Sequence, residues 1–351
     1  MQRKSPSSDA VRPRSTMRQV AAQAGVSLKT VSRVVNNEPG VSPTLQRQVN
    51  EAVRQLAYRP NPAASNLRRI ERRNHSVAVL LEDLANPFSA TLLRAVEDVA
   101  HSHGAIVLAA SVDADPDRER SLTDLFASRR VDGLVLMPAT EEQGYLAQEV
   151  KSGTALVFVD RPPHGVSADC VLTMDKAGAA QAVRHLIDAG HRRIAFLTNS
   201  LLTYTSQQRY AGFIEALTEA GLTPDPRTVV DDLDDLRAAD GATSVMLGLT
   251  DPPTAIFSAQ NLVTIGAIRA LRRLHQEHQV ALVGFDDFPL AEMLIPAVTV
   301  IAQDPAVTGR TAARLLFERL AGDTSPARTH LVPTTLIRRG SGEIPPRDRG
   351  R

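Results

Sequence analysis

Cysteine is almost absent: Cys170 is the one thiol in 351 residues. A single thiol excludes an intrachain disulfide and every multi-cysteine metal site. It precedes Val171 and Leu172 and is expected to be buried. Also missing is any run of about 18 apolar residues, so no segment reads as a membrane-spanning helix. Met1 to Ser15 is polar and rich in Pro, Ser and Arg. Without the apolar centre of a secretory signal, residues 1–15 read as the disordered leader of a cytoplasmic protein. No glycine-rich phosphate loop and no nucleophile elbow occurs. His101, His103, His185 and His191 lack the cysteine or carboxylate partners of a metal site and read as structural residues. These absences leave no catalytic set, no metal and no cofactor, and turn the reading from enzymes toward binding.

Acidic residues are scarce at one end. Residues 1–73 hold 14 Lys and Arg against 4 Asp and Glu, a net of +10. The whole chain carries +1, so residues 74–351 carry −9. A basic end on an acidic body points to a polyanion contact confined to that end. A solvated basic tail accounts for Arg3, Lys4, Arg12 and Arg14. It accounts less well for Lys29, Arg33, Arg47, Arg54 and Arg59, which fall inside a folded pattern.

That pattern begins at Thr16, which can cap a helix with an apolar face of Val20, Ala21 and Ala24. Gly25 stops this helix, because a sharp turn there needs a left-handed residue. Ser27 caps a second helix whose inner face is Val31, Val34 and Val35. Its outer face carries Leu28, Lys29, Ser32, Arg33 and Asn36. Two short helices joined at a glycine turn make a helix-turn-helix, with the second helix placed to enter a DNA major groove. A helical hairpin inside an ordinary core shares part of this pattern, and residues 42–67 separate the two. Ser42-Pro43 opens a third helix, with Leu45, Val49, Val53 and Leu56 closing a three-helix core. Asn61-Pro62 starts a further helix of about two turns, too short to stand alone in water.

From residue 75 strand-like runs alternate with amphipathic helices. The strands are expected at 76–81, 105–110, 133–137, 155–159, 194–198, 254–259, 280–285 and 298–302. Helices are expected at 88–103, 117–129, 175–189, 206–220, 261–276 and 306–320. Such alternation implies an α/β fold with parallel sheets covered on both faces. The pattern alone leaves open one doubly wound sheet or two. Ligands in such folds bind outside the carboxyl ends of the strands.

Three motifs of the basic end, in this order and spacing, resemble the LacI/GalR family of bacterial repressors. They are Ala21-x-x-Ala24-Gly25-Val26-Ser27, then Thr30-Val31-Ser32-Arg33-Val34-Val35-Asn36, then Tyr58-x-Pro60-Asn61-x-x-Ala64-x-x-Leu67. In the body, Asn86-Pro87-Phe88, Val159-Asp160-Arg161-Pro162, Arg209-x-x-Gly212-Phe213 and Gly284-Phe285-Asp286-Asp287 are similar to the family's effector-binding core. That core is related to periplasmic sugar-binding proteins. The resemblance covers about 16–340. It implies a helix-turn-helix domain at 16–60, a hinge helix and linker at 61–74, a core at 75–340 and a disordered tail at 341–351. The core is expected as two Rossmann-like subdomains, 75–172 with 280–303 and 173–279 with 304–339.

The implied function is a sequence-specific, ligand-responsive repressor acting as a homodimer on operator DNA. Base readers are placed at Leu28, Lys29 and Arg33. Leu28 has only an apolar contact to offer, while Lys and Arg can donate to guanine. Ser27, Thr30, Ser32 and Asn36 suit phosphates, Leu67 wedges between base pairs in the minor groove with Ala64 packing nearby, and the helix caps Thr16 and Asn61 are also placed among the DNA-binding residues. Phe88, Asp160, Arg209 and Asn261 fall at the ligand. Phe88 suits stacking on a sugar or base as well as core packing, and Arg209 suits hydroxyls or an anion as well as an ion pair. Gln260-Asn261 departs from the family's usual Asn-Asp; losing that charge favours a neutral or anionic ligand. The ligand is expected to be a sugar or sugar derivative, with a purine-like corepressor as the alternative. The rival from another class is a small-molecule binding protein without a regulatory role. A tail with two prolines and three glycines in 340–351 cannot form a leucine heptad, so a dimer is expected rather than a tetramer.

Overall fold

Thr16 and Gln19 open the first helix by serving each other. The Gln19 N–H donates to Thr16 Oγ1 at 3.4 Å and the Thr16 N–H to Gln19 Oε1 at 2.7 Å. This capping box starts α1 (Met17–Ala24), and Gly25, at φ 65°, ends it. Ser27 caps α2 (Leu28–Val35) through the Thr30 N–H at 3.1 Å, and Ser42 caps α3 (Pro43–Gln55). Val20, Val31 and Val49, one from each helix, are fully buried at the centre, with Ala21, Val34, Ala52 and Tyr58 around them. Each such valine contributes about 1.5–3 kcal/mol by leaving water. The computed structural model describes residues 15–36, 38–59 and 74–347. Met1–Asn74 and His75–Arg351 are separate compact units. Residues 1–14 of the expected leader, the hinge positions Asn61, Ala64 and Leu67, and residues 348–351 lie outside the described residues; Ser15 is described, and its Oγ donates to the Leu56 carbonyl at 2.7 Å.

The second unit runs β1 (Ser76–Leu81), α4 (Pro87–Ser102), β2 (Ile106–Ser111), α5 (Pro116–Ser128), β3 (Gly133–Leu136), α6 (Ala147–Lys151), β4 (Ala155–Val159) and β5 (Asp169–Thr173). It continues with α7 (Asp175–Asp188), β6 (Ile194–Leu197), α8 (Tyr204–Glu219), β7 (Val229–Val230), α9 (Leu236–Leu247), β8 (Ala255–Ser258), α10 (Asn261–Arg273), β9 (Ala281–Phe285) and β10 (Thr299–Ala302). It closes with α11 (Pro305–Leu320), β11 (Thr329–Val332) and β12 (Thr335–Ile337). Two sheets result, ordered β11-β5-β4-β3-β1-β2 and β12-β10-β9-β8-β6-β7. All pairings are parallel except β10 with β12. Strand residues such as Val77 to Leu81 are all at 0% exposure, which is why these strands are uninterrupted apolar runs rather than alternating ones. Gly212 shows how closely α8 packs on α7: a Cβ there would stand 2.2 Å from the Lys176 carbonyl of α7.

Two α/β subdomains are therefore present, but the chain assigns its last third differently from the expected boundaries. Residues 280–303 were expected in the first subdomain; β9 pairs with β8 (Ala255 opposite Ala281) and belongs to the second. Residues 304–339 were expected in the second; α11 buries Leu315 and Leu316 with Leu92 and Val96 in the first, where β11 pairs with β5. Only β12 of that stretch returns to the second sheet. Apolar periodicity identifies a strand but not the neighbour it pairs with, so sheet membership was open to this error. The chain crosses between sheets near 174, 303 and 333.

The expected disordered tail is also corrected for 341–347. Ser341 Oγ donates to the Leu282 carbonyl at 2.6 Å and accepts the Thr299 N–H at 2.9 Å. Glu343 Oε2 accepts from Thr299 Oγ1 and from the Gly340 N–H, both at 2.8 Å. The buried His191 ring bridges Thr254 Oγ1 and the Ile344 carbonyl. The segment forms a single 3-10 turn, Ser341–Glu343, and side-chain bonds to a neighbouring strand fix it in place. Among the described residues no helix is long and apolar enough to cross a membrane.

Candidate functional site

On α2 the inward valines leave a polar outer face. Leu28 is 40% exposed, and Lys29 beside it is exposed. Arg33 is half-exposed, 3.9 Å from Glu38 Oε2, a separation that leaves its guanidinium readily redirected. Ser27 Oγ lies 2.9 Å from Thr30 Oγ1, and Asn36 Nδ2 donates to Ser32 Oγ at 3.3 Å. The hydroxyls of Thr16 and Ser27 thus serve helix ends first, while their backbone neighbours stay at a helix N-terminus suited to anions. The arrangement offers two long cations, a small apolar contact and a rim of hydroxyls on one face.

In the second unit, charged side chains converge where the strands of both sheets end. Glu82 follows β1, Asp160 and Arg161 follow β4, Asp286 follows β9 and Gln303 follows β10; with Arg209 of α8 they line a cleft of about 60 Å³. An outer groove of about 340 Å³ shares Phe88, Asp286 and Gln303 with it. A larger groove, about 540 Å³, opens at the opposite strand ends beside Arg193 and Arg347. Parallel sheets bind ligands at carboxyl ends, and the buried charges gather there, so the cleft is the candidate despite its smaller volume.

Arg209 is 5% exposed and largely committed. Nε donates to Asp175 Oδ1 and Nη1 to the Ala259 carbonyl, both at 2.7 Å; Nη1 stands 3.8 Å from Asp286 Oδ2. Its guanidinium lies 3.9 Å over the Phe285 ring. Burial opposes its charge, but Asp175, Asp286 and Asp160 outweigh that and hold its pKa above the usual arginine value. Burial pushes Asp160 up from the usual carboxylate range against the pull of Arg161 and Arg209. Burial likewise lifts Asp175 to about 7, although Arg209 lowers it, and Asp175 Oδ2 is buried without a hydrogen-bond partner. Arg161 donates Nη1 to the Pro138 carbonyl at 2.8 Å and Nη2 to Glu82. Gln303 Nε2 donates to Asp286 Oδ1 at 2.5 Å and its Oε1 accepts from Thr173, tying two of the crossings to the site.

Phe88 answers both of its expected readings: it packs on the first-sheet core and borders the cleft. Asp160 and Arg209 are brought together there. Asn261 is not a direct cleft group, which corrects that expectation. It is 1% exposed, and its amide is paired with Asn86. Gln260 borders the cleft while its Oε1 caps α10 through the Leu262 and Val263 N–H groups. The negative charge stands instead at Asp286, so Asn261 no longer favours an anionic ligand. Asp286 lies in a motif quoted from the sequence but was not among the residues expected at the ligand, and Gln303 was in neither; each directly follows a strand recognisable in the sequence.

Residues 16–61 match the lacI family of bacterial regulatory proteins, and 183–342 match a periplasmic binding protein-like domain. The HTH-type transcriptional repressor PurR of Aliivibrio salmonicida is 30% identical over 308 residues, 87% of this chain and 92% of that protein. The CelR–cellobiose complex superposes with a TM-score of 0.69 at 30% identity, covering 93% of this chain and 100% of that one. The lac repressor dimer bound to operator and the anti-inducer ONPF superposes with a TM-score of 0.81 at 26% identity, covering 94% and 99%.

Proposed function

The chain belongs to the lacI family of bacterial regulatory proteins, and from that premise we propose how its parts divide the work of a dimeric, effector-controlled transcriptional repressor. It is a regulator and not an enzyme. Lys29 and Arg33 read base edges in the major groove, with Leu28 against a thymine methyl. Thr16, Ser27, Thr30, Ser32 and Asn36 hold phosphates and set the register. Asn61, Ala64 and Leu67 act at the minor groove between the two half-sites. The protein works in the cytoplasm, where its operator is.

The effector binds in the cleft, between Phe88, Asp160, Arg209, Asp286 and Gln303. The observation that carries this reading is the buried arginine set among three aspartates at the carboxyl ends of two facing sheets. Such charges are costly to bury and gather where they have a task. Glu82, Asp83, Asp160 and Asp286 outnumber Arg161 and Arg209 along the lining, which favours an uncharged, hydroxyl-rich effector over a sugar acid or phosphate. A sugar or sugar derivative fits best. The Phe88 ring keeps a purine-bearing ligand as the second reading. Closing the cleft changes how the first subdomains of the dimer meet and so biases the hinge segments on DNA.

Thermal-shift screening of sugars, sugar acids, sugar phosphates and purines identifies the effector, since a binder stabilises the fold by mass action. The hit must also alter binding to a pseudo-palindromic duplex at physiological salt. A hit that stabilises the protein but leaves operator affinity unmoved would remove the regulatory reading of the cleft.

A further inference from the structure

Asn86 and Asn261 lie 175 residues apart in sequence and on opposite sides of the cleft. Asn86 caps α4 on the first subdomain, and Asn261 is the first residue of α10 on the second. Asn261 Nδ2 donates to Asn86 Oδ1 at 2.9 Å, and Asn86 Nδ2 donates back to Asn261 Oδ1 at 3.2 Å. Each oxygen also accepts a backbone N–H of its own helix, from Phe88 at 3.0 Å and from Leu262 at 2.8 Å. Both acceptors are therefore full, and the backbone donors fix which way each amide faces. What Asn86 has left for the cleft it borders is one N–H, not a carbonyl. A second bridge accompanies the pair: Tyr204, at the start of α8, packs on the apolar cluster of the first sheet around Phe158.

We propose that the Asn86–Asn261 pair is a latch between the two subdomains, and that Asn261 is a positioning residue which acts on the effector only through Asn86. The latch is made by protein groups alone and is uncharged, so it does not depend on the effector. With it closed the cleft measures about 60 Å³. Ligand pockets usually span about 300–1,000 Å³, so a sugar-sized molecule that reaches Asp160 and Arg209 from the outer groove requires the subdomains to part and the pair to break. The latch then sets the closed-to-open balance against which any effector binds. The orientation it imposes presents a donor to the effector, matching an acceptor oxygen at that point. The consequence for the effector rests on the cleft reading above; the latch itself does not.

The test uses the full-length protein with spin labels on one engineered cysteine in each subdomain and measures the distance between them by pulsed electron resonance. Cys170 is buried, with its thiol pushed up to about 12 by burial, and does not compete for the label. Asn86→Asp and Asn261→Asp each keep the one hydrogen bond that the remaining asparagine donates, but set a carboxylate oxygen against that asparagine's own amide oxygen where the other N–H stood. The double variant sets two carboxylates against each other. All three keep an acceptor at a helix N-terminus, where aspartate is favoured, so the fold survives. The single variants should move part of the population to a longer distance. The double variant should move the population to a longer one, shifting the closed-to-open ratio by about ten-fold or more. A double variant that keeps the short distance of the parent protein would overturn the latch. That result would leave the cleft standing as the effector site, which is judged separately by the screen.

Discussion

Asp160 and Asp286 occupy equivalent places in the two sheets. Each is the residue after the third strand in from the sheet edge, β4 in one and β9 in the other. Each adopts a left-handed backbone, φ 67° and 72°, and each donates its N–H to the next strand, to Val171 at 3.0 Å and Ile301 at 2.9 Å. Aspartate tolerates this conformation better than most residues, yet it still carries strain that other contacts must hold. The two subdomains thus aim one acidic group each at the same cleft by the same local device.

Asp286→Asn tests that device. Asparagine also tolerates the left-handed backbone and keeps an acceptor for Gln303, so the fold should change little. Removing the charge beside Arg209 should weaken effector binding at least ten-fold and blunt the operator response. Calorimetric titration with the screened effector checks this, and unchanged affinity would take Asp286 out of the site.

Arg209→Ala should be more damaging than loss of one ligand contact. It strips the partner from Asp175 and leaves Asp160 and Asp286 less compensated in a buried place. Breaking such a pair costs about 3–5 kcal/mol. Urea unfolding should show that loss alongside failure to respond to effector. A variant that loses the response with full stability would mean that the ion pairs are incidental.

Asp175 makes stability pH-dependent. Its folded value is raised to about 7 from the usual 3.8, so the unfolded chain gives up this proton first as pH rises. The stabilising contribution is full below about pH 4 and is lost as pH climbs to about 7. Asp160 acts in the same direction. Asp169 acts oppositely. Burial tends to raise it, but Arg319 and Arg328 outweigh this and hold it at about 2, so its contribution is lost only under strong acid. Asp175→Asn should remove up to about 1.4 kcal/mol of slope per pH unit between pH 4 and 7. Identical slopes for parent and variant in urea titrations would refute the assignment.

On the DNA side, Lys29→Ala or Arg33→Ala should each cost about 1–3 kcal/mol of operator affinity and relax preference at one position per half-site. Both side chains stand on the exposed face of α2 and hold up no core. Gel-shift titration against a duplex library checks both effects. Wild-type binding by both variants would move recognition off α2.

Much of the fold was legible in the chain because the signals were local. The caps Thr16, Ser27 and Ser42 and the valines of α1 to α3 specify their helices within a few residues. The long apolar strands declare themselves in the same way. Pairing choices are not local: nothing within 329–332 says that β11 sits beside β5. Strand β7, at two residues, is too short to carry a period. Asp160 and Arg209 were found through motifs, but Asn261 was placed at the ligand from its motif alone. Its partner Asn86 is brought to it only by the closure of two subdomains, which no spacing encodes.

The segment after Gly340 has the composition of a dispensable tail, yet Ser341 satisfies the Leu282 carbonyl and the Thr299 N–H in the second sheet. Leaving a buried backbone group unmet costs about 1–3 kcal/mol. The cavity left where Gly342 packs against Val283 and Thr299 adds to that. Truncation after Arg347 keeps these bonds and serves as the control, while truncation after Gly340 should lower the melting temperature by several degrees. Neither deletion takes away a leucine heptad, so light scattering should report a dimer for both. Equal melting temperatures for the two truncations would show that Ser341 and its neighbours add nothing to the fold. A tetramer that only the longer deletion splits would show that the segment assembles subunits instead of sealing one.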